Sequence, residues 1–159
     1  MGYLWFVTTT NHIMEKRINI QQIEPKGYQA VLALEKYLAQ SELTPTHKEL
    51  IKIRASQING CAFCLDMHTK DALKNGETTQ RIFLVSAWRE TDLFTDEERL
   101  LLQVTEEVTL ISQQGLTTAT YEAALKVFGE NYLAQIILAV ATINVWNRIA
   151  VSTHLPIPR

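Results

Sequence analysis

Helix start and stop signals recur along this chain, and strand signals are weak throughout. Thr44-Pro45 and the capping box Thr95–Glu98 are typical of helix N-termini. Asn59-Gly60 and Asn75-Gly76 are typical of the left-handed turns that end helices. Between these signals, apolar residues recur at helical spacing. The pattern predicts an all-α fold, a single-domain helical bundle of about seven helices.

The bounds of the seven predicted helices follow from these signals. Their predicted starts are Pro25, Pro45, the cysteine motif at Cys61, Thr78 or Thr79, Thr95, about Thr118 and about Tyr132. Ile18–Ile20 is expected to be a short lead-in segment. We expect the sixth helix to end at Gly129. The last helix, the most apolar, should run to about Val151 in the centre of the fold.

Composition excludes several classes of function. The 159 residues are 47% hydrophobic and 20% charged, as in one soluble globular domain. A net charge of −2 without a basic block argues against nucleic acid as a partner. No apolar run reaches the length of a membrane span, so no membrane partner is expected. Residues 1–13 lack the features of a secretion signal, so we expect a cytoplasmic protein with a short N-terminal extension before a domain at 14–159.

Both cysteines of the chain lie within the ten residues Asn59–His68. If the chain is helical from Cys61 onward, then Cys61, Cys64 and His68 share one face, at positions i, i+3 and i+7. Glu49 precedes Cys61 by eleven intervening residues and belongs to a helix that could fold back beside this face. Two thiols, an imidazole and a carboxylate would then share one small volume.

Such a set of side chains suits redox chemistry. The thiolate is the reacting form of cysteine, and unpaired N–H groups at a helix start favour negative charge. His68 follows Cys64 by one turn, so its imidazole could accept a thiol proton while Glu49 orients the ring. A second cysteine three residues away could resolve a sulfenic acid as a disulfide. We expect Cys64 to attack and Cys61 to resolve, although the helix dipole favours the opposite assignment.

Two other interpretations compete with the redox site. Free cysteines are often plain core residues. Cys61, Cys64, His68 and Glu49 could also be four zinc ligands, but structural zinc sites usually draw ligands from two separated pairs, and no second pair exists here. We therefore expect no metal. His12, His47 and His154 have no partner pattern and are expected at the surface or in the tail.

The combined pattern resembles the AhpD-like (alkylhydroperoxidase) branch of the carboxymuconolactone decarboxylase family. The resemblance extends over about 14–153. Its motifs are Leu43-Thr44-Pro45, Glu49, the run from Gly60 to Cys64 with Asp66 and His68, and Asn147-Arg148-Ile149-Ala150. It implies an all-helical fold, homo-oligomers (often trimers or hexamers), and thiol-dependent reduction of hydroperoxides without metal, haem or flavin. Electrons would come from a dithiol or a protein reductant that the sequence does not identify.

One departure from the family pattern bears on activity. The best-studied peroxidase members carry a histidine between the two cysteines, where this chain has Phe63. The protein is therefore either a thiol-dependent peroxidase or a thiol-disulfide exchange or redox-sensing protein with little peroxidase turnover. Late in the last helix, Asn144, Trp146, Asn147 and Arg148 could approach the site or a subunit interface.

Overall fold

A computed structural model describes residue 15 and residues 17–158. The expected extension at 1–13 lies outside the described residues. The described part contains seven α-helices and one 3₁₀ helix, and no strand. These are α1 Ile20–Ile23, α2 Pro25–Ala39, α3 Pro45–Asn59, α4 Ala62–Lys74, α5 Thr79–Leu84, the 3₁₀ helix Val85–Glu90, α6 Asp96–Thr109 and α7 Thr118–Thr153. The predicted all-α fold is confirmed.

The capping signals act where the sequence places them. The Thr44 hydroxyl accepts a hydrogen bond from the backbone N–H of His47 at 3.1 Å. At α6 the Thr95 hydroxyl accepts from Glu98 N–H, and the Glu98 carboxylate accepts from Thr95 N–H. These bonds satisfy backbone donors that have no partner inside their helices.

Three details differ from the predicted elements. The lead-in segment forms a short helix, α1, because the Asn19 side chain caps it by accepting from Gln22 N–H. The fourth predicted helix changes from α5 to a 3₁₀ helix at Val85. The predicted sixth helix ends at Gly129 (φ 74°, ψ 169°) as expected, but the next helical segment follows it directly, so α7 is two segments that meet at a kink. Glycine adopts positive φ without a Cβ clash, so the chain kinks there and resumes its helix without a loop.

The core lies where α3, α6 and the second half of α7 pack together. Its largest fully buried aliphatic side chains are Leu50, Ile51, Ile53, Leu101, Leu102, Val104, Ile136, Val140 and Ile143, with Val85 from the 3₁₀ helix. Each such side chain contributes roughly 1.5–3 kcal/mol by leaving water. The central position predicted for the last helix is confirmed.

Helix α7 also has the length and apolar composition of a membrane-crossing helix, contrary to the sequence expectation. It is the one such helix among the described residues. A buried core helix meets the same two criteria. Within the single chain, 39% of this apolar stretch is buried, and α7 packs there against α3 and α6.

A half-buried carboxylate links α3 to α6. Glu106 of α6 accepts hydrogen bonds from Arg54 of α3 at 2.7 Å, from the Trp88 indole at 2.8 Å and from Arg89 at 2.6 Å. Burial raises the pKa of Glu106, but the bonds from Trp88, Arg89 and Arg54 outweigh it and hold the pKa below its usual range. Helix α3, which carries Glu49, is therefore held by charge as well as by apolar packing.

Candidate active site

The turn between α3 and α4 places the two cysteines. Gly60 adopts a left-handed conformation (φ 65°, ψ 34°) directly after α3. The Gly60 N–H bonds to Gln57 O at 3.4 Å, and the Cys61 N–H bonds to Ser56 O at 3.0 Å. These are the two hydrogen bonds of a Schellman motif, which ends a helix and sets the direction of the next residue.

Cys61 therefore lies just outside α4 and caps it. Its backbone is extended (φ −87°, ψ 93°), and its Sγ accepts from the backbone N–H of Cys64 at 3.3 Å. The expectation that helix begins at Cys61 is wrong by one residue, because the Schellman turn draws Cys61 out of helical geometry. Cys64 and His68 do share a face of α4, at positions i and i+4.

The two sulfur atoms are joined in a Cys61–Cys64 disulfide. The Cα atoms are 5.3 Å apart, within the usual range for a disulfide. Both residues are almost fully buried, Cys61 at 1% and Cys64 at 2% exposure. The bond is thus shielded from bulk water within the described chain.

His68 and Glu49 form the polar half of the site. The Nδ1 atom of His68 lies 2.9 Å from Oε2 of Glu49, across the α3–α4 interface. The side chains are 5% and 12% exposed. A carboxylate at Nδ1 favours the tautomer that donates from this nitrogen and leaves Nε2 as the proton acceptor.

A small pocket lies beside Glu49, between α3 and the end of α4. Its volume is about 10 Å³, room for about one water molecule. Thr46, Asn75 and Glu77 contribute polar side chains to its lining. Glu49 therefore has a water-sized space next to it.

The structure thus brings the four predicted residues together in two pairs, the Cys61–Cys64 disulfide and the hydrogen-bonded pair Glu49 and His68. Helix α4 carries one member of each pair, Cys64 and His68. With the sulfurs bonded to each other, the described residues contain no group of three or more His, Cys, Asp or Glu side chains placed to hold a metal. Phe63, between the cysteines, is partly buried against the core. It occupies the position where the family pattern has a second imidazole.

The expectation of an exposed His47 is wrong. His47 is buried, and its Nδ1 lies 2.7 Å from the Tyr132 hydroxyl. Burial lowers its pKa, against the opposing charges of Glu97 and Glu98. Its helical position relative to Leu50 and Ile51 was the available signal for burial. His154 lies at the end of α7, as expected, and His12 is outside the described residues.

The late polar residues of α7 have two different environments. Asn144 and Asn147 are buried and accept hydrogen bonds from Asn59, the residue before Gly60. Trp146 packs edge-to-face on Tyr28 of α2, with ring centroids 5.1 Å apart. Arg148 donates to Asn144. The sequence signal for the two asparagines was their amides within an otherwise apolar helix.

Known proteins are similar to this chain in sequence and fold. The family model described as the carboxymuconolactone decarboxylase family matches residues 25–107. The uncharacterized protein YdfG of Bacillus subtilis is 42% identical over 139 residues, which are 87% of this chain and 95% of YdfG.

Solved structures match over most of the chain. A protein of unknown function from Agrobacterium tumefaciens, described as a candidate antioxidant defence protein AhpD, is 41% identical with a TM-score of 0.88. The match covers 91% of this chain and 99% of that one. A peroxidase-related AhpD-core protein from Ralstonia eutropha shares the fold at 20% identity and a TM-score of 0.69, over 87% of this chain and 74% of that one. The chain belongs to the carboxymuconolactone decarboxylase family and has the AhpD-like helical fold.

Proposed function

We propose that this protein is a thiol-dependent peroxidase that cycles between a Cys61–Cys64 dithiol and the corresponding disulfide. The observation that carries the proposal is the disulfide at the start of α4, one helical turn from an imidazole bonded to a carboxylate. The Agrobacterium relative, described as a candidate antioxidant defence protein, supports the same class of activity. The proposed substrate is a hydroperoxide, and the proposed reductant is a small dithiol or a protein dithiol.

The proposed oxidation consumes both thiols. His68 accepts the proton of Cys64 at Nε2, and the thiolate attacks the terminal oxygen of the hydroperoxide. The O–O bond breaks, the leaving alkoxide takes the proton back from His68 and departs as an alcohol, and Cys64 becomes a sulfenic acid. The Cys61 thiol then attacks this sulfur, and water leaves as the disulfide forms. Two electrons pass from the two thiols to the peroxide.

The proposed reduction closes the cycle by thiol–disulfide exchange. One thiolate of the reductant attacks the Cys61–Cys64 bond, and its second thiol releases the mixed disulfide. The products are the protein dithiol and the oxidised reductant, so electrons balance over the full cycle. In this scheme Glu49 stabilises the imidazolium that His68 forms, because its carboxylate contacts Nδ1.

A second candidate function is thiol–disulfide exchange or redox sensing with little peroxidase turnover. Phe63 favours it, because a phenyl ring packed against the core cannot transfer the proton that an imidazole would. The same disulfide serves both functions. The two functions differ in one measurable rate. A peroxidase makes peroxide consumption faster than the uncatalysed reaction of peroxide with the reductant, and an exchange protein does not.

A steady-state assay with cumene hydroperoxide and a panel of dithiols separates the two functions. We expect saturable peroxide consumption, matched one to one by dithiol oxidation, that disappears after the reduced protein is alkylated. Reversible disulfide formation without protein-dependent peroxide consumption would establish the exchange function instead.

We further propose that the protein is a homo-oligomer, a trimer or hexamer. Apolar side chains on α2 and α7 are exposed in the single chain, among them Tyr37, Leu138 and Val151. Such side chains are commonly covered by a second protomer. We expect light scattering at micromolar concentration to give a multiple of 18.1 kDa, and Leu138→Glu to lower that mass. A wild-type mass of one chain would refute the proposal.

A further inference from the structure

A side chain from α7 bridges the turn that carries the cysteines. The Oδ1 atom of Asn147 accepts from Asn59 Nδ2 at 2.9 Å, and its Nδ2 donates to Ser56 Oγ at 3.0 Å. Asn147 is 1% exposed, and Ser56 is fully buried. One carboxamide thus holds two positions of the last turn of α3.

These two positions, Ser56 and Asn59, both belong to the Schellman motif. Ser56 O accepts the Cys61 N–H, and Asn59 directly precedes the left-handed Gly60. Asn144 provides a second contact, since its Oδ1 accepts from Asn59 Nδ2 at 3.0 Å. Asn147 therefore contacts the residue that anchors Cys61 and the residue from which the turn departs.

We propose that Asn147 is a positioning residue that sets the reduction potential of the Cys61–Cys64 pair. The inference rests on the redox cycle of the proposed function, but it concerns the equilibrium of the disulfide with a dithiol and needs no peroxide. Asn147 acts through the turn, since its bonds are to Ser56 and Asn59 and not to sulfur.

The direction of the effect follows from the reduced state. Once the disulfide opens, the turn, the cap on α4 and the packing of Cys61 in the core hold Cys61 near Cys64. A clamped turn keeps the effective concentration of one thiol at the other high, which favours reclosure. If the clamp is lost, Gly60 and Cys61 gain freedom, reclosure becomes less favourable, and the disulfide becomes easier to reduce.

The test is the equilibrium constant for reduction of the disulfide by dithiothreitol. Full-length wild-type protein and variants are equilibrated in dithiothreitol redox buffers, alkylated, and scored by mass spectrometry. We expect Asn147→Leu and Asn59→Ala each to favour reduction about tenfold, a change of ~30 mV to a less negative potential. Urea unfolding of the oxidised proteins measures stability separately.

Thr142→Val is the matched control. Thr142 is also buried in α7, but its hydroxyl donates to Leu138 O of the same helix. We expect it to lower stability while the equilibrium constant stays within about twofold of wild type, since it leaves the turn clamped. If Asn147→Leu does not fold, Asn59→Ala decides the question, because Asn59 is partly exposed.

Two results would overturn the inference. One is an unchanged equilibrium constant in a folded Asn147→Leu or Asn59→Ala protein. The other is an equal change in Thr142→Val, which would mean that any loosening of α7 has the same effect. Failure of the peroxidase assay alone leaves the inference standing. A wild-type disulfide that does not form reversibly removes both proposals.

Discussion

The substitution Cys64→Ser should abolish hydroperoxide reduction and leave Cys61 almost unreactive toward peroxide. Cys61→Ser should also abolish turnover, but it should still allow one oxidation at Cys64. The reason for the difference is the position of His68, which follows Cys64 by one turn on the same face of α4. Cys61 lies just outside the helix, at the N-cap of α4, and does not share this face with His68.

The structure also contains an argument for the reverse order. Cys61 Sγ accepts the Cys64 N–H at the N-terminus of α4, and such a position favours a negatively charged sulfur. Base access and helix-terminal stabilisation therefore favour different cysteines. We favour Cys64, because the attacking thiol must lose its proton to a base and Cys64 is the cysteine that shares a face with His68. The resolving thiol only has to reach a sulfenic acid that is already beside it.

Trapping with a sulfenic-acid reagent decides the order. Each reduced variant is mixed briefly with peroxide and the reagent, and the adduct is located by mass spectrometry. We expect adduct at Cys64 in Cys61→Ser and almost none at Cys61 in Cys64→Ser. The Cys61→Ser/Cys64→Ser double variant corrects for labelling elsewhere. Rapid adduct formation at Cys61 with none at Cys64 would reverse the two roles.

Local sequence signals predicted the helices well. The caps at Thr44 and Thr95 and the left-handed Gly60 depend on hydrogen bonds within a few residues, so their sequence patterns suffice. Gly129 shows the limit of such signals. Gly129 was predicted to end a helix, and helical geometry is broken there. That the next segment follows without a loop depends on its packing against distant α3 and α6, which the local signal does not contain.

The site was predicted in part for the same reason. Cys61, Cys64 and His68 lie within eight residues, so helical spacing alone relates them. The contact of Glu49 with His68 requires α3 and α4 to pack as a pair, which the family resemblance implied. The bridge from Asn147 to Ser56 joins residues 91 positions apart, and no periodicity relates them. Its only sequence signal was an amide in an apolar helix.

Replacement of His68 should slow oxidation of the thiols without unfolding the protein. We expect His68→Ala to lower the rate of peroxide-dependent thiol loss by roughly 10²–10⁴-fold, the range for loss of a positioned general base. We expect the protein to stay folded, with only a modest loss of free energy of unfolding. His68 bonds to Glu49 at the edge of a core that other side chains mainly form.

Glu49→Gln tests whether the charge of Glu49 matters in addition to its position. The glutamine oxygen can still accept from Nδ1 of His68, so the ring stays oriented, but it cannot stabilise the imidazolium as a carboxylate does. Charged hydrogen bonds contribute about 1.5–3 kcal/mol and neutral ones about 0.5–1.5 kcal/mol. The difference corresponds to about a tenfold loss of rate.

Asp66→Asn is the matched control for these two variants. It also removes a charge from α4, but from a pair with Lys70 on another face of the helix. Stopped-flow measurement of thiol loss after peroxide addition should therefore give wild-type rates for Asp66→Asn, a moderate loss for Glu49→Gln and the largest loss for His68→Ala. Equal rates in all three would show that proton transfer bypasses His68. Glu49→Ala, which removes both the charge and the contact with Nδ1, is measured beside them. A loss equal to that of Glu49→Gln would show that His68 requires the charge of Glu49 and not its orienting contact.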